Sequence, residues 1–401
     1  MHSRIDCASH SLAAPMLTWA CEDGYDRYRV CRMKNVLYIG GFELPDKNAA
    51  AQRVMSNSLL LRDMGFNVSL IGSTKDLECV INKANGFNCS YVKYPRSLFQ
   101  WLKYITVFVS TEKIFAYQPD YVVLYNFPAI ASLLILKRCR KRGIKVFQDI
   151  TEWESASGCS PREIIRKLDI NLRMHYCLKR MDGVIAISRY LYERYRKFTQ
   201  CIYVPPTVDL TCSKWNRNRE LNVGDEVRVV YAGNPGIGNK DKLGVIVDAV
   251  KSNSFVSLTI IGITRVQYEH VFGHLSEEHR NISFCGRVSH EEAVKAICDA
   301  DFQILIRDNT LKNNAGFPTK FVESISCCTP VIATLTSNIG EYLRDGVNGF
   351  VVTKEQSLKL VFERIKSMSK EDRIAMKLRC KNFRGFDYRS YREDFAKIFI
   401  I

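Results

Sequence analysis

Two stretches in the C-terminal half combine glycine, cation and carboxylate at usable spacing. The first is Gly233-Asn234-Pro235-Gly236-Ile237-Gly238-Asn239-Lys240-Asp241. Its glycines let backbone approach an anion, and a lysine where a helix begins adds charge without bulk. No Gly-Lys-Ser/Thr closes the run, so it is not a Walker loop. The second is Gly316-Phe317-Pro318-Thr319-Lys320-Phe321-Val322-Glu323. Pro318 suits a first helical position, and the free N–H groups behind Gly316 can face an anion. Lys320 and Glu323 are three apart and share a helical face. That cation and carboxylate could hold a phosphate and a sugar diol. Arg307 falls at a strand's carboxyl end beside this loop; a phosphate contact and a salt bridge with Asp308 are both open. A plain glycine turn and a helix–strand unit with surface charges remain the alternatives.

The N-terminal half offers a second set. Gly40-Gly41 follows a first apolar strand, and Arg53 lies on the next helix, either as a ligand contact or as a solvated residue. Asp149 and Glu152 sit where the strand starting at Lys145 gives way to a loop, the position at which open α/β sheets place ligands. Either carboxylate could position or deprotonate a hydroxyl, or simply face solvent or a nearby arginine.

The elements that must carry these residues alternate. Met33–Gly41, Asn67–Gly72, Tyr121–Tyr125, Lys145–Asp149 and Val184–Ser188 read as strands, with helical stretches between them. Tyr94–Tyr117 reads as one aromatic-rich helix covering a sheet, with lipid contact as the alternative. The pattern restarts at Arg228–Ala232, Val256–Gly262, Ile282–Gly286 and Asp301–Ile306. Parallel, doubly wound sheets are expected, in a first domain at 33–210 and a second at 225–383, joined by a polar linker. The final segment, 384–401, is amphipathic and is expected to return to the first domain. Residues 1–32 lack periodicity and read as a non-native or disordered extension, with Met33 as the native start.

The 401 residues suit two domains, and 46% hydrophobic with 25% charged residues is a soluble globular composition. The net charge of +16 favours an anionic partner. Between Lys137 and Lys197 there are 16 Lys/Arg against 7 Asp/Glu. No helix-turn-helix, zinc-finger or RNP sequence accompanies that charge, so nucleic acid is not the expected partner. The 15 cysteines form no Cys-x-x-Cys pair and read as reduced, mostly buried thiols of a cytoplasmic protein. The uncharged run Tyr121–Leu136 contains Asn126 and Pro128 and is too short to span a bilayer. The charged first residues lack a proper apolar core, so no secretory signal is expected.

The segment around Glu323 and Pro330-Val331-Ile332 resembles the donor-site signature of glycosyltransferase family 4, the retaining group 1 enzymes with the GT-B fold. The Gly-Gly…Ala-Ala-Ala-x-Arg run at 40–53, the Lys240-Asp241 step and Ile187-Ser188-Arg189-Tyr190-Leu191 add to the likeness, which covers about residues 33–400. It implies an α/β chain of two Rossmann-like domains facing a cleft. Its donor would be a nucleotide diphosphosugar, UDP- or GDP-linked, held by Gly233, Asn234, Gly236, Lys240, Arg307, Gly316, Phe317, Lys320 and Glu323. Glu323 would take the ribose and Lys240 the diphosphate. Gly40, Gly41 and Arg53 would lie on the acceptor side, with Asp149 or Glu152 serving the acceptor hydroxyl. It implies no cofactor and no required metal. The basic helices of the first domain, rather than the likeness, suggest a glycan or lipid-linked acceptor of cell-surface polysaccharide assembly, reached at the inner face of an anionic membrane. Two departures stand out. Ala315 occupies the position of the family's first motif glutamate, and Cys328 stands where a glycine precedes Thr329-Pro330. An inactive scaffold, a sugar-nucleotide epimerase of the same fold and a basic nucleic-acid binder are the rival readings.

Overall fold

The computed structural model describes residues 32–44, 48–75, 83–153, 160–233, 235, 240–276, 279–353 and 357–400. Val36-Leu37-Tyr38-Ile39 is a run of buried side chains and forms the centre of β1 (Asn35–Gly40). Seven further strands join it: β2 (Asn67–Thr74), β3 (Lys83–Ala84), β4 (Phe87–Lys93), β5 (Tyr121–Tyr125), β6 (Lys145–Ile150), β7 (Gly183–Ala186) and β8 (Cys201–Tyr203). Their order is β3-β4-β2-β1-β5-β6-β7-β8, parallel throughout except for the short β3 against β4. The second sheet contains β9 (Val227–Ala232), β10 (Val256–Ile261), β11 (Ile282–Gly286), β12 (Phe302–Leu305), β13 (Val331–Thr334) and β14 (Gly349–Val352). Its order is β11-β10-β9-β12-β13-β14, all parallel.

Each sheet reverses its winding once, between β1 and β5 and between β9 and β12. At such a reversal, loops leave neighbouring strands in opposite directions and open a crevice beyond the carboxyl ends. Lys240 follows β9 and Arg307 follows β12, so both loops at the second reversal carry a cation. Glu152 follows β6, next to β5 at the first reversal.

The chain end lies on the first sheet's half. Phe395, Ile398 and Phe399 belong to the core built around Val36, Leu70 and Val123, and Phe399 meets the rings of Phe66, Tyr121 and Phe147. Tyr388 donates to Asp63 Oδ2 at 2.7 Å. The connection after β8 is polar in composition yet docked: Trp215 is buried, and Arg217 and Arg219 donate to carbonyls of Ser326 and Cys298 at 2.8 Å each. Two planar cations, Arg217 buried and Arg219 half-buried, saturate backbone acceptors and bind this connection to the second sheet's half.

Local chemistry departs from the sequence pattern in two places. Tyr94–Tyr117 is not one helix: helices Leu98–Thr106 and Thr111–Ala116 are separated by a turn in which Phe108 has φ of +52° and is buried against Phe127. Burial of that ring wins over helical continuity, and Ser110 caps the second piece by accepting from Lys113 N. Cys328 adopts φ of +59° and ends the helix Thr319–Ser326, with Thr329 N donating to Ser324 O at 2.9 Å. This left-handed helix end favours glycine, so the cysteine sits in a conformation that costs about 1–2 kcal/mol. The cysteines among the described residues are free thiols. Among those residues no helix is long and apolar enough to cross a membrane. The extension reading of 1–32 falls, apart from Arg32, outside the described residues.

Candidate functional site

A cleft of about 420 Å³ opens where the carboxyl ends of the two sheets face each other. Its charged lining is Arg53 and Glu152 from the first sheet's half and Lys240, Arg307, Lys312 and Glu323 from the second. Several interactions hold the two walls in register. Ser188 donates to Ala315 O at 2.7 Å, Arg189 pairs with Glu341 at 3.1 Å, and the hydroxyls of Tyr203 and Tyr342 meet at 2.8 Å.

Asp241 organises the cationic wall. It is buried and accepts from Tyr231 at 2.8 Å, from Arg307 Nε at 2.6 Å and from Lys320 Nζ. Burial pushes its carboxyl up, but Lys320 and Arg307 outweigh that and hold it below the usual range. Lys320 also lies 4.4 Å from the Tyr231 ring centroid, and burial keeps its ammonium below a lysine's ordinary value although Asp241 opposes this. Gly233 makes the arrangement sterically possible. Its φ is +128°, and a Cβ there would collide with Lys320 Cε. Lys320 and Arg307 are therefore committed to an internal pair network, and Arg307 takes Asp241 rather than Asp308, which pairs with Lys242 at 2.7 Å.

Lys240 is in a different situation. Its neighbour Asp241 turns inward, while Lys240 lines the cleft. Burial, reinforced by Arg307 and Lys312 and opposed by Asp241 and Glu152, lowers its ammonium to about 8. A desolvated, repelled ammonium gains strongly from an anionic ligand.

Glu323 lies on the same helix as Lys320 but points to a different partner. Its Oε1 is 3.2 Å from His290 Nε2, and that nitrogen is 3.0 Å from Gln52 Nε2 on the opposite wall. His290 is presented at the start of helix His290–Asp299, which Ser289 and Glu292 cap reciprocally. Gly316 ends helix Leu311–Ala315, and a Cβ there would meet the Thr151 carbonyl at 3.4 Å, so both walls converge there. Phe317 lines the cleft with one edge and is otherwise buried against Phe321, Tyr342 and Phe386. Ala315 is fully buried in an apolar cluster with Phe317 and Phe321, where a carboxylate would have no solvation.

On the first sheet's half, the two carboxylates part company. Glu152 lines the cleft on a loop held from both sides. Thr151 N donates to Asn126 Oδ1 at 3.0 Å, and Trp153 packs against His175 and Tyr190 beneath Arg194. Asp149 corrects the sequence reading. It lies within β6, its side chain faces helix Ala49–Asp63, and it is fully buried. Its oxygens accept from Tyr38 at 2.5 Å, Arg53 Nε at 2.9 Å and Asn57 at 3.2 Å, which leaves it out of the cleft. Arg53 is likewise occupied: Nη2 is 2.7 Å from Asp149, and Nη1 donates to the carbonyls of Val204 and Pro205. Burial opposes its charge, yet Asp149 holds its guanidinium above the ordinary value. Gly40 and Gly41 also lie off the cleft lining. A Cβ on Gly40 would strike Tyr125 Cβ at 2.7 Å, so its role is close strand approach, and Gly41 is exposed near the Tyr104 hydroxyl. Asn234 and Gly236 lie outside the described residues.

The residues that sequence reasoning passed over are Asp241, His290, Gln52 and Lys312. Asp241 was adjacent to a chosen lysine, and His290 followed a helix cap, but neither position signals which cross-strand or cross-domain group it meets. Among the described residues no group of three or more His, Cys, Asp or Glu side chains is placed to hold a metal ion.

Comparison with known proteins bears on the fold. Residues 226–370 match the sequence model of the family described as Glycosyl transferases group 1. No curated protein matches the chain by sequence. Among solved structures, sucrose-phosphate synthase from Thermosynechococcus elongatus superposes with a TM-score of 0.66 at 13% identity, over 91% of this chain and 98% of that one. The Anabaena protein HepE, in complex with UDP and glucose, gives 0.62 at 13% identity over 91% and 98%. The catalytic domain of starch synthase IV from Arabidopsis thaliana, bound to ADP and acarbose, gives 0.65 at 10% identity over 91% and 98%. The chain has the GT-B fold: two Rossmann-like domains with parallel sheets.

Proposed function

We propose that this chain is a glycosyltransferase that moves a sugar from a nucleotide diphosphosugar to a glycan or lipid-linked acceptor. The observation that carries the reading is one cleft with Lys240 and Glu323 on its second-domain wall and Glu152 on the facing wall. Glu323 would accept hydrogen bonds from the ribose hydroxyls. Lys240 would neutralise the diphosphate as it departs with the bonding electron pair, where negative charge grows in the transition state. The Asp241 network would hold Arg307 and Lys320 behind Lys240, so that the local field favours an anion. Glu152 would orient the acceptor hydroxyl or take its proton as the new glycosidic bond forms. Retention of configuration by front-face attack, with the leaving diphosphate helping to accept that proton, is the stereochemical course we propose. No cofactor enters this scheme, since the donor is itself a substrate. We place the enzyme in the cytoplasm, at the inner face of the plasma membrane, in cell-surface glycan assembly.

The donor is tested by thermal shift across UDP-, GDP- and ADP-sugars. A ligand that binds only the native state raises the melting temperature by mass action. HepE, solved with UDP and glucose, makes UDP-glucose the first donor to try. Absence of stabilisation by every nucleotide sugar would overturn the reading. Ala315 motivates a second reading, an inactive scaffold, because no carboxylate stands at that position. Donor hydrolysis or transfer by the parent chain, lost in Lys240→Ala and Glu323→Ala, would exclude it; conversion of the donor sugar without acceptor would instead point to an epimerase.

A further inference from the structure

Two helices of the first domain turn apolar side chains to solvent. On helix Leu98–Thr106, Ile105 is buried while Leu98, Leu102 and Phe99 project outward, Phe99 being 78% exposed. On helix Pro161–Leu172, Ile170 faces the core, whereas Ile164, Leu168 and Leu172, spaced four apart, form one outward stripe, with Leu168 63% exposed. Residues at this spacing share a helical face, so the stripe is continuous. Both helices pack against helix Ala129–Arg140, which adds exposed Leu134 between them. A groove of about 300 Å³ joins the two, lined by Arg96 and Trp101 from one side and Arg162 and Arg166 from the other. Soluble monomers rarely expose clustered large apolar groups of this extent.

The chemistry around the apolar groups selects the occupant. Arg96, Lys103, Arg162, Arg166 and Lys167 are exposed among them, and Glu163 is engaged with the Ser160 cap. Apolar projections interleaved with cations, with Trp101 and Tyr94 at the boundary, match the headgroup zone of an anionic bilayer. We infer that this face docks the protein onto an anionic lipid surface, its helices lying in the interface. The chain passes from Glu152 in the cleft to Ser160 at the start of the second helix, eight residues that can span at most about 29 Å. The covalent path therefore keeps Glu152 within that distance of the start of the helix that carries the outward stripe. A lipid-linked acceptor follows only on the transfer reading; the docking itself does not depend on it.

The test is flotation of the full chain with vesicles of phosphatidylcholine alone and of phosphatidylcholine with phosphatidylglycerol. The expected result is co-flotation with the anionic vesicles at low salt, weakened at high salt. Phe99→Glu with Leu168→Glu should cut the bound fraction at least tenfold, with an unchanged melting temperature. Equal flotation of the double variant, or none by the parent at low salt, would overturn the inference. So would a parent dimer that the double variant converts to monomer without any vesicle binding, which assigns the face to a second copy. Thermal shift by nucleotide sugars, measured without vesicles, reports on the donor site separately, so failure of docking and failure of the transfer reading are distinguishable.

Discussion

His290 Nε2 stands 3.2 Å from Glu323 Oε1, so an imidazole from one helix start steers a carboxylate on another. A carboxylate can only accept, so this nitrogen carries the proton when the bond forms. Gln52 Nε2 lies 3.0 Å from the same nitrogen on the opposite wall; an amide nitrogen only donates, so Gln52 and Glu323 bond His290 in alternative tautomers. If Glu323 binds the ribose, Glu323→Ala removes charge-assisted hydrogen bonds worth roughly 1.5–3 kcal/mol. Affinity for the nucleoside diphosphate should fall on the order of 10- to 100-fold. His290→Ala should cost less, about three- to tenfold, because the carboxylate remains but loses its orientation. Isothermal titration with the preferred nucleotide checks both, and an effect of His290→Ala larger than that of Glu323→Ala would refute the order of roles.

Lys240 predicts a pH dependence of donor binding. Its ammonium titrates at about 8 in the free protein, so it is charged at pH 7 and largely neutral at pH 9. A bound diphosphate favours the charged form, so binding near pH 8 takes up protons and weakens as pH rises. Titrations in buffers of different ionisation enthalpy read that uptake directly. Lys240→Met should bind more weakly and lose both the uptake and the pH trend. The same residue links to stability. An unfolded lysine titrates near 10.4, so between about 8 and 10.4 the unfolded chain binds more protons and this residue's contribution to stability rises with pH. At pH 7 the buried charge is a net cost, and Lys240→Met should raise the melting temperature while lowering affinity.

Asp241 carries the opposite sign. Asp241→Asn leaves Arg307 and Lys320 beside each other with no counter-charge, and removing one partner of such a buried group costs about 3–5 kcal/mol. Urea unfolding at pH 7 should show that loss. Lys320→Met in the Asp241→Asn background should recover part of it, since the two changes share one network. The carboxyl is held below its ordinary value, so its contribution is complete at neutral pH and is lost as pH falls below about 3.9 and on through the lower folded-state value. Asp241→Asn should therefore be less sensitive to acid than the parent.

How far these features could be read in advance depends on where their determinants lie along the chain. Strands β1 and β5 are runs of mostly buried apolar residues, and β9 is one apart from exposed Arg228, so their character is local information. Lys240, Arg307 and Glu323 could be singled out because strand ends and helix starts are also local. What those residues touch is not. The partners of Asp149 come from Tyr38 and Arg53, 111 and 96 residues away, and place it behind the sheet rather than in front of it. The side-chain alternation of β6 puts Asp149 and Ile150 on opposite faces, and only the position of helix Ala49–Asp63 decides which face is dry. Phe108 broke an expected helix for the same reason: its ring is buried against Phe127, which lies beyond β5. The apolar stripe at Ile164, Leu168 and Leu172 was periodic in sequence, but its outward direction depends on which face Ile170 and Met174 bury.

Glu152 and Asp149 give the sharpest contrast between a cleft group and a structural one. Glu152→Gln keeps the shape of the loop that Asn126 and Trp153 hold, and removes only the charge that faces Lys240. Melting temperature and donor affinity should change little, while turnover should fall by about 10²- to 10⁴-fold if Glu152 serves the acceptor hydroxyl. Asp149→Asn should behave in reverse. It leaves Arg53 charged and fully buried without its counter-ion, at a cost of about 3–5 kcal/mol. Whatever protein remains folded should retain turnover, because Asp149 does not reach the cleft. Replacing the pair together, Arg53→Met with Asp149→Leu, removes both charges at once and should recover stability relative to either single change. Turnover measured per folded molecule separates the two carboxylates: a loss at Asp149 that persists after correction for folding would move it into the catalytic machinery.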